Sequence, residues 1–149
     1  MKKIIPIIIT LIMIFSTVSC KSSRPSYEIL SAFVHAYGAD GVIYSSDAAE
    51  GEEGYIDEEL FDRIYIHSGA HPDDFSIFLS SHTDSRSECG VFVCRDGQML
   101  AEVTDMCEER IRLLDPERGF VSRCNLTVFY STMSNSDRAH SVWDGIIGR

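Results

Sequence analysis

The segment CGVFVCRDGQMLAEVTDMCEERIRLL, residues 89–114, decides the fold class because it runs from a strand into the longest helix of the chain. Residues 89–94 are apolar on both alternating faces, which is typical of a strand inside a sheet. Residues 95–97 have turn chemistry and start the helix, which we expect to end at Asp115-Pro116. Such an amphipathic helix must bury its apolar face, so the segment predicts a helix packed on a sheet. That face comprises Met99, Leu100, Val103, Met106, Cys107, Ile111 and Leu114.

The flanking sequence supplies further helices and strands. The spacing of apolar residues and the position of capping residues predict an α+β fold. Its small sheet of three to four strands is covered by helices, in the order α-(β)-α-β-β-α-β-α. A right-handed crossover predicts that strands 89–94 and 124–130 are parallel. The other predicted elements are helices at 26–38 and 57–65, strands at 41–44 and 75–79, and a last helix capped by Asn135 or Ser136.

Residues 1–19 have the composition of a secretory signal peptide. Lys2 and Lys3 precede an apolar run from Ile4 to Phe15, and small and polar residues follow it. A helix from Ile4 to Val18 would reach only ~22 Å at ~1.5 Å per residue, which is less than the ~30 Å hydrocarbon core of a bilayer. The segment is therefore interpreted as a leader and not as a membrane span.

The residues that follow the apolar run, Ser19-Cys20-Lys21-Ser22-Ser23, are similar to the cleavage box of bacterial lipoproteins, in which the cysteine becomes the N-terminus and carries the lipid. Thr17 departs from the aliphatic residue that this box prefers, so ordinary cleavage after Ser19 stays an alternative. The predicted organisation is a signal peptide at 1–19, a lipidated Cys20 with its tether at 20–25, and one α+β domain at 26–149. The predicted location is the extracytoplasmic face of the cell membrane, with secretion as the alternative.

The exported part is strongly acidic. Loss of Lys2 and Lys3 with the leader reduces the 13 basic residues to 11, against 23 acidic residues, which gives a net charge of −12. Such a polyanion repels phosphates and anionic headgroups, which disfavours nucleic acid as a partner and any basic membrane-binding patch. The segment SSDAAEGEEG, residues 45–54, is interpreted as a surface loop because it is acidic, rich in small residues and flanked by glycine. A calcium-binding loop is the alternative, which the spacing of its acidic residues disfavours.

The stretch IHSGAHPDDFSIFLSSHTD, residues 66–84, concentrates histidine and aspartate. His67 and His71 have the spacing that places two rings on one helix face, but Gly69 and Pro72 disfavour a helix there. The predicted strand at 75–79 also separates His71 from the histidine that follows it. Polar loops that flank a strand are the preferred interpretation, no cofactor is predicted, and a metal site is the alternative. The candidate metal ligands are His67, His71, His82 and Asp84.

Four cysteines follow Cys20. The positions of Cys89 and Cys94 differ by five, an odd number, so their side chains point to opposite faces of one strand. Cys89 and Cys124 begin strands that the crossover rule places side by side, and they are the candidate disulfide pair. Cys107 lies on the apolar helix face, where a free thiol packs well. The sequence has no Cys-x-x-Cys spacing and no Gly-x-Ser-x-Gly motif, so no catalytic residue is predicted.

The run DDFSIFLSSHTDSRSECGVFVCRDGQMLAEVTDMCEERI, residues 73–111, resembles a family of small exported bacterial lipoproteins classed as a domain of unknown function. The similarity lies in Glu88 before an apolar strand, a short charged turn and a long helix that ends in Glu109-Arg110. It extends to the helix DEELFDRIY and to the last strand and helix, by pattern more than by invariant residues. The resemblance implies export and supplies no catalytic residue.

These observations predict a surface-tethered, non-enzymatic module for binding or envelope assembly. Its expected partners are the membrane, through the N-terminal lipid, and an unknown envelope protein or small ligand. The alternative is an exported metal-binding protein or hydrolase that uses the His/Asp-rich segment 67–84. A further hypothesis is assembly through strand 74–80, which has no evident partner on its far side.

Overall fold

The structure, a computed structural model, describes residues 24–65, 69–82 and 87–148. The predicted leader and Cys20 lie outside these residues. The described elements comprise four helices and five strands, which confirms the α+β class. In chain order they are α1 (Ser26–Tyr37), β1 (Gly41–Ser45), α2 (Glu58–Ile64), β2 (Asp74–Ser80), β3 (Glu88–Val93), α3 (Gly97–Leu114), β4 (Phe120–Cys124), β5 (Thr127–Ser131) and α4 (Ser136–Ile147).

The five strands form one antiparallel sheet in the order β1-β2-β3-β5-β4. The prediction of three to four strands is therefore too low, because β4 was not among the predicted strands. β4 and β5 form a tight hairpin whose turn includes Asn125, a residue with a positive φ of 54°. Asparagine tolerates this left-handed conformation better than most residues. The single strand predicted at 124–130 thus covers the end of β4, the turn and most of β5.

The predicted parallel pairing of β3 with the following strand is also wrong. β5 pairs antiparallel with both β3 and β4, so β3 and β4 run in the same direction with β5 between them. The crossover through α3 thus joins two parallel strands, as expected, but β4 is its second strand. β2 is flanked by β1 and β3, so the hypothesis of a free edge at 74–80 is wrong, and the edge strands are β1 and β4.

Helices cover both faces of the sheet and bury a separate apolar core on each face. α1 and α4 pack on one face, where Phe33, Phe129 and Trp143 are fully buried. α2 and α3 pack on the other face, around Phe92 and Val103. Each helix therefore buries its apolar stripe on the sheet, as the sequence pattern predicts.

The helix ends follow the capping residues of the sequence. The side chain of Asp57 accepts a hydrogen bond from the backbone N–H of Leu60 at the start of α2, and Asn135 does the same for α4. Gly38, with a φ of 77°, ends α1 in the left-handed conformation that glycine adopts without strain. Within the part of the chain that the structure describes, the helices lack the length and apolar composition that a bilayer span requires.

Candidate functional site

The predicted metal ligands are only partly within the described residues. His67 and Asp84 lie outside them, as does Cys20. His71 precedes β2 and His82 follows it, so the seven residues of this strand separate the two histidines. The two described members of the predicted ligand set therefore lie at opposite ends of β2.

His71 instead meets two carboxylates of α2. Glu58, Asp62 and His71 are all exposed, and each offers one ligand atom within 4.8 Å of the other two. Glu58 and Asp62 lie one helical turn apart, which directs both side chains to the same face of α2. The His71 Nδ1 atom is 4.0 Å from a carboxylate oxygen of Glu58. Among the described residues this is the group of side chains that comes closest to a metal-binding geometry.

A larger cleft lies on the opposite face of the sheet, between the start of α1 and the segment that follows β1. Its volume is about 380 Å³, which is within the range of ~300–1,000 Å³ that is usual for ligand sites. The hollow beside His71 has a volume of about 180 Å³ and is smaller than that range. Size alone therefore favours the cleft over the hollow beside His71 as a ligand-binding site. Its lining includes Pro25, Tyr27, Ile43 and Ser45 together with the carboxylates of Glu28, Asp47, Glu52 and Glu53.

The charge of this acidic cleft is uncompensated. Its lining contains four carboxylates and neither lysine nor arginine. None of the four forms an ion pair with a described residue. The carboxylate of Glu52 accepts a hydrogen bond from the backbone N–H of Ala49, which fixes its position without neutralising it. The cleft therefore presents a concentrated negative potential to the solvent.

A buried chain of three serine hydroxyls reaches the cleft at Ser45, which is the one member of the chain in the lining. Ser26 Oγ is 2.8 Å from Ser76 Oγ, and Ser76 Oγ donates to Ser45 Oγ at 3.1 Å. Ser26, Ser76 and Ser45 have exposures of 0%, 0% and 4%. The chain links α1, β2 and β1. Both carboxylate oxygens of Asp74 accept from the backbone N–H of Ser26, so the first turn of α1 is held on the sheet.

The most strongly buried charge of the described residues lies elsewhere, at one end of the core that α2 and α3 cover. The carboxylate of Glu88 accepts two hydrogen bonds from the guanidinium of Arg110, both at 2.7 Å. It also accepts from the hydroxyl of Tyr130 at 2.6 Å, and this hydroxyl contacts that of Tyr65 at 2.8 Å. Arg110 donates further to the backbone carbonyl of Ile64. We call these four side chains the Glu88 network.

The Glu88 network is closed and internally satisfied. Burial, followed by the nearby charge of Glu88, raises the pKa of Tyr65 and that of Tyr130 well above the ordinary value. Both hydroxyls are therefore neutral near pH 7. The described side chains include no buried nitrogen or oxygen atom without a hydrogen-bond partner. The hydrogen bonds of this network link α2, β3, α3 and β5.

The four cysteines of the described residues are free thiols. The predicted disulfide between Cys89 and Cys124 is wrong because β5 lies between their strands. Two strand spacings amount to ~9.6 Å, which exceeds the Cα–Cα distance of ~4.4–6.8 Å that a disulfide spans. Burial raises the pKa of Cys94 to about 11, with a smaller effect of Asp96, so this thiol is protonated at neutral pH. Burial also raises the pKa values of Cys89 and Cys107.

Comparison of the chain with protein-family models, with curated proteins and with solved structures finds no match. The candidate site thus depends on geometry and charge alone. The acidic loop at 45–54 was predictable from the sequence, but its proximity to Glu28 was not, because Glu28 lies on α1 and approaches the loop through the packing of α1 on the sheet. The spacing of four residues between Glu58 and Asp62 was visible in the predicted helix 57–65, but no role was assigned to them there.

Proposed function

We propose that this protein is an exported, lipid-anchored domain that binds a positively charged ligand in its acidic cleft and performs no catalysis. The observation that carries the proposal is the set of four carboxylates around a cleft of about 380 Å³ with no lining cation. The anchor is Cys20, on the extracytoplasmic face of the cell membrane, and secretion after cleavage at Ser19 is the alternative. The membrane and an envelope component or small ligand are the partners.

Electrostatics supports a cationic ligand in two ways. Each solvent-exposed ion pair contributes only ~0–1 kcal/mol, so affinity requires several pairs at once, and the cleft offers four carboxylates. The net charge of −12 expected for the mature chain extends the attraction over the Debye length of ~8–10 Å and raises the association rate. Binding should therefore weaken as salt is added.

The absence of catalysis is inferred from the chemistry of the groups that surround the cleft. Its lining has four carboxylates, a tyrosine, one buried serine hydroxyl and apolar residues, and the hydrogen bonds of this serine join it to Ser76 and to the backbone N–H of Asp47, not to a histidine or carboxylate that would activate it as a nucleophile. The Glu88 network lies in the other core and is closed. We expect the purified protein to be inactive in broad hydrolase screens, and turnover that survives removal of contaminants would contradict this part of the proposal.

The binding proposal is tested with spermine, a flexible polycation, by calorimetry at low and at physiological salt. One variant neutralises the cleft by Glu28→Gln, Asp47→Asn, Glu52→Gln and Glu53→Gln. A matched control variant neutralises four acidic residues on or after α3, which covers the other face of the sheet: Glu102→Gln, Asp105→Asn, Glu108→Gln and Glu117→Gln. We expect the cleft variant to lose at least about 10-fold in affinity, equivalent to ~1.4 kcal/mol. Equal losses in both variants would show that net charge, and not the cleft, attracts the polycation.

The anchor is tested separately by metabolic labelling with a fatty acid. We expect label in the wild-type protein and in the membrane fraction, and neither in a Cys20→Ser variant. Release of an unlabelled wild-type protein into the medium would support the secreted alternative. If the protein is labelled but its cleft does not bind cations, the anchor part of the proposal stands and the binding part is wrong.

The second candidate function is metal binding, and the meeting of His71 with Glu58 and Asp62 favours it. In a tetrahedral zinc site with bond lengths of ~2.0–2.2 Å the ligand atoms lie ~3.3–3.6 Å apart, so the 4.0 Å between His71 and Glu58 would have to shorten by less than ~1 Å on binding. A Glu59→Gln variant is the matched control, since Glu59 pairs with Arg63 instead. Elemental analysis of the untagged protein is the test. Stoichiometric zinc that is lost in His71→Ala but kept in Glu59→Gln would establish a metal-handling function.

A further inference from the structure

The tether of the proposed anchor joins the domain at one end of the sheet. Arg24, the first described residue, donates from its guanidinium to the backbone carbonyl of Ile146, near the end of α4. Ser26, which begins α1, donates its backbone N–H to the carboxylate of Asp74 at the start of β2. A chain of four residues spans at most ~14 Å when fully extended, so Cys20 lies within that distance of Arg24. A lipid on Cys20 therefore holds this end of the sheet close to the bilayer surface.

The turn between β4 and β5 lies at the same end of the sheet. Val93, the last residue of β3, pairs with Asp74 on one side and with Thr127, the first residue of β5, on the other. The helix α4, which receives the hydrogen bond from the tether, also covers β4, because the indole of Trp143 donates to Ser122 Oγ. The tether thus leaves the domain on the side of the sheet that carries this turn.

The turn presents an exposed apolar side chain beside an exposed cation. Leu126 is 39% exposed, and its backbone carbonyl accepts a hydrogen bond of 2.7 Å from the backbone N–H of Cys94, which fixes the turn on the domain. Arg123, on β4, is exposed and forms no ion pair with a described residue. Apolar side chains flanked by cations are the groups that an anionic lipid surface attracts.

The acidic loop, residues 45–54, lies at the opposite margin of the same end of the sheet. It follows β1, and four strand spacings, or ~19 Å, separate β1 from β4. Anionic headgroups repel its exposed carboxylates, which are those of Asp47, Glu50, Glu52 and Glu53. Repulsion at the margin of β1 and attraction at the margin of β4 tilt a tethered domain in one direction.

We infer that the domain rests on the anionic lipid surface that carries its own anchor, with the turn between β4 and β5 in the headgroup layer and the acidic loop turned away from it. This inference rests on the lipid anchor of the proposed function and is independent of what binds in the cleft. The net charge of −12 expected for the mature chain disfavours attachment through this contact alone. The lipid supplies the attachment, and the turn decides the orientation.

The test uses the full-length lipidated protein in vesicles of phosphatidylglycerol and phosphatidylcholine whose acyl chains carry bromine, a quencher of tryptophan fluorescence. The first variant is Leu126→Trp. The matched control is Leu113→Trp, because Leu113 is 57% exposed and lies close to Arg110, which contacts the start of β3 at the other end of the sheet. The native Trp143 is 1% exposed and contributes the same emission to both variants.

The expected result is a difference between the two positions. Side chains at the lipid surface reach ~5–10 Å into the boundary between headgroups and acyl chains, so bromine should reduce the emission that Leu126→Trp adds by about twofold. The emission that Leu113→Trp adds should be unchanged. Because both variants add the same ring at an exposed leucine, the difference reports the orientation of the domain and not the affinity of tryptophan for lipid.

A second pair of variants tests the role of charge. Arg123→Glu, combined with Leu126→Trp, should shift the balance from the contacting to the free orientation by at least about 5-fold, the scale of one arginine at an anionic surface. Arg112→Glu is the matched control, since it makes the same change in net charge at an exposed residue next to Leu113. We expect it to leave the quenching at Leu126→Trp unchanged. Equal effects of the two charge reversals would overturn the contact at the turn.

Flotation with the vesicles separates this inference from the anchor. If the protein does not float, it carries no lipid, and the anchor and the inference are both wrong. If it floats but bromine quenches both positions equally or neither of them, the anchor stands and the orientation is wrong. Where Leu126→Trp does not fold, hydrogen exchange of the wild-type protein decides. Amides of residues 123–127 should exchange more slowly on vesicles than in detergent, and equal exchange there would overturn the orientation.

Discussion

Glu88 and Arg110 are 22 residues apart in the sequence, and their ion pair is nevertheless the most buried one that the described residues contain. The side chains are 6% and 19% exposed. We expect Glu88→Gln to lower the free energy of unfolding by about 3–5 kcal/mol, because it leaves the guanidinium of Arg110 largely out of water without its counter-charge. Urea unfolding monitored by circular dichroism measures this loss.

The control for this prediction is Glu109→Gln, which removes one partner of the exposed pair between Glu109 and Arg112. We expect it to cost no more than about 1 kcal/mol. A double variant, Glu88→Gln with Arg110→Met, should recover part of the loss, since both charges are then removed from the core. If Glu88→Gln proved as mild as Glu109→Gln, the pair would not be buried as described.

Tyr65 and Tyr130 predict an alkaline limit of stability. Burial raises their pKa values in the folded state, whereas an unfolded tyrosine has a pKa of ~10. Above pH ~10 the unfolded chain therefore releases protons that the folded chain keeps, and stability decreases as pH rises. The contribution is fully present below pH ~10. Each tyrosine can account for up to ~1.4 kcal/mol per pH unit above that pH.

Urea unfolding at pH 8, 10 and 10.5 measures this slope in the wild-type protein and in Tyr65→Phe. The phenylalanine variant should lose stability less steeply above pH 10. The difference between the two slopes isolates Tyr65, because the buried cysteines, whose pKa values are also raised, contribute to both. Identical slopes would mean that Tyr65 ionises as readily in the folded state as in the unfolded chain.

Side-chain partners were the part of the structure that the sequence could not predict. Glu88 precedes an apolar strand and so resembles a polar residue at a strand end, and Arg110 lies between apolar and exposed positions of α3. Their contact depends on how α3 packs against β3 in the tertiary structure, which local sequence patterns do not determine. The same holds for Glu28 and Asp47 in the cleft, because no local pattern relates a helix start to a loop after a strand.

At the scale of elements, β3 pairs with β5 so that the ring of Tyr130 covers Gly90 and leaves no room there for a side chain. Gly90 lies opposite Tyr130, and a Cβ atom added to it would be 2.7 Å from a ring carbon of Tyr130. We expect Gly90→Ala to destabilise the protein by about 1–3 kcal/mol, because it overpacks the strand pair and displaces the ring that hydrogen-bonds to Glu88. Thermal unfolding followed by circular dichroism provides the measurement.

Gly97→Ala is the matched control, since a Cβ atom added at this first residue of α3 meets nothing within 4 Å. Alanine has a higher helix propensity than glycine, so this variant should be neutral or stabilising by up to ~1 kcal/mol. If both substitutions destabilised the protein to a similar degree, the effect at Gly90 could not be attributed to its close packing against Tyr130.

The elements themselves were predictable where the apolar period was strong. α3, β2 and β3 were predicted within a residue or two of their bounds, because each has a continuous periodic pattern between turn residues. β4 was missed for a physical reason. Its sequence, FVSRC, has a broken alternation, and the Asn-Leu turn after it lacks the glycine that marks most two-residue hairpins. One missed strand then changed the direction predicted for the next.

At the scale of the whole molecule, the sheet has a fully paired central strand, β3, and two edge strands, β1 and β4. β3 has strand partners on both sides and a helical layer on each face, whereas β1 and β4 have one strand partner along their length. An additional bridge between Ser45 and Tyr55 covers only the end of β1. Stability should therefore decrease from the centre of the sheet to its edges.

Hydrogen exchange of the backbone amides tests this gradient. We expect amides of β3 to exchange only through global unfolding, with a protection free energy equal to that from urea unfolding, and those of β4 to exchange at least about 10-fold faster through local opening. The concentration dependence adds a second test, because a free edge is also where strands of two copies would pair. If the amides of β4 were as protected as those of β3 at high protein concentration but not at low concentration, this edge would be the assembly surface. High protection of β4 at every concentration would contradict the sheet order.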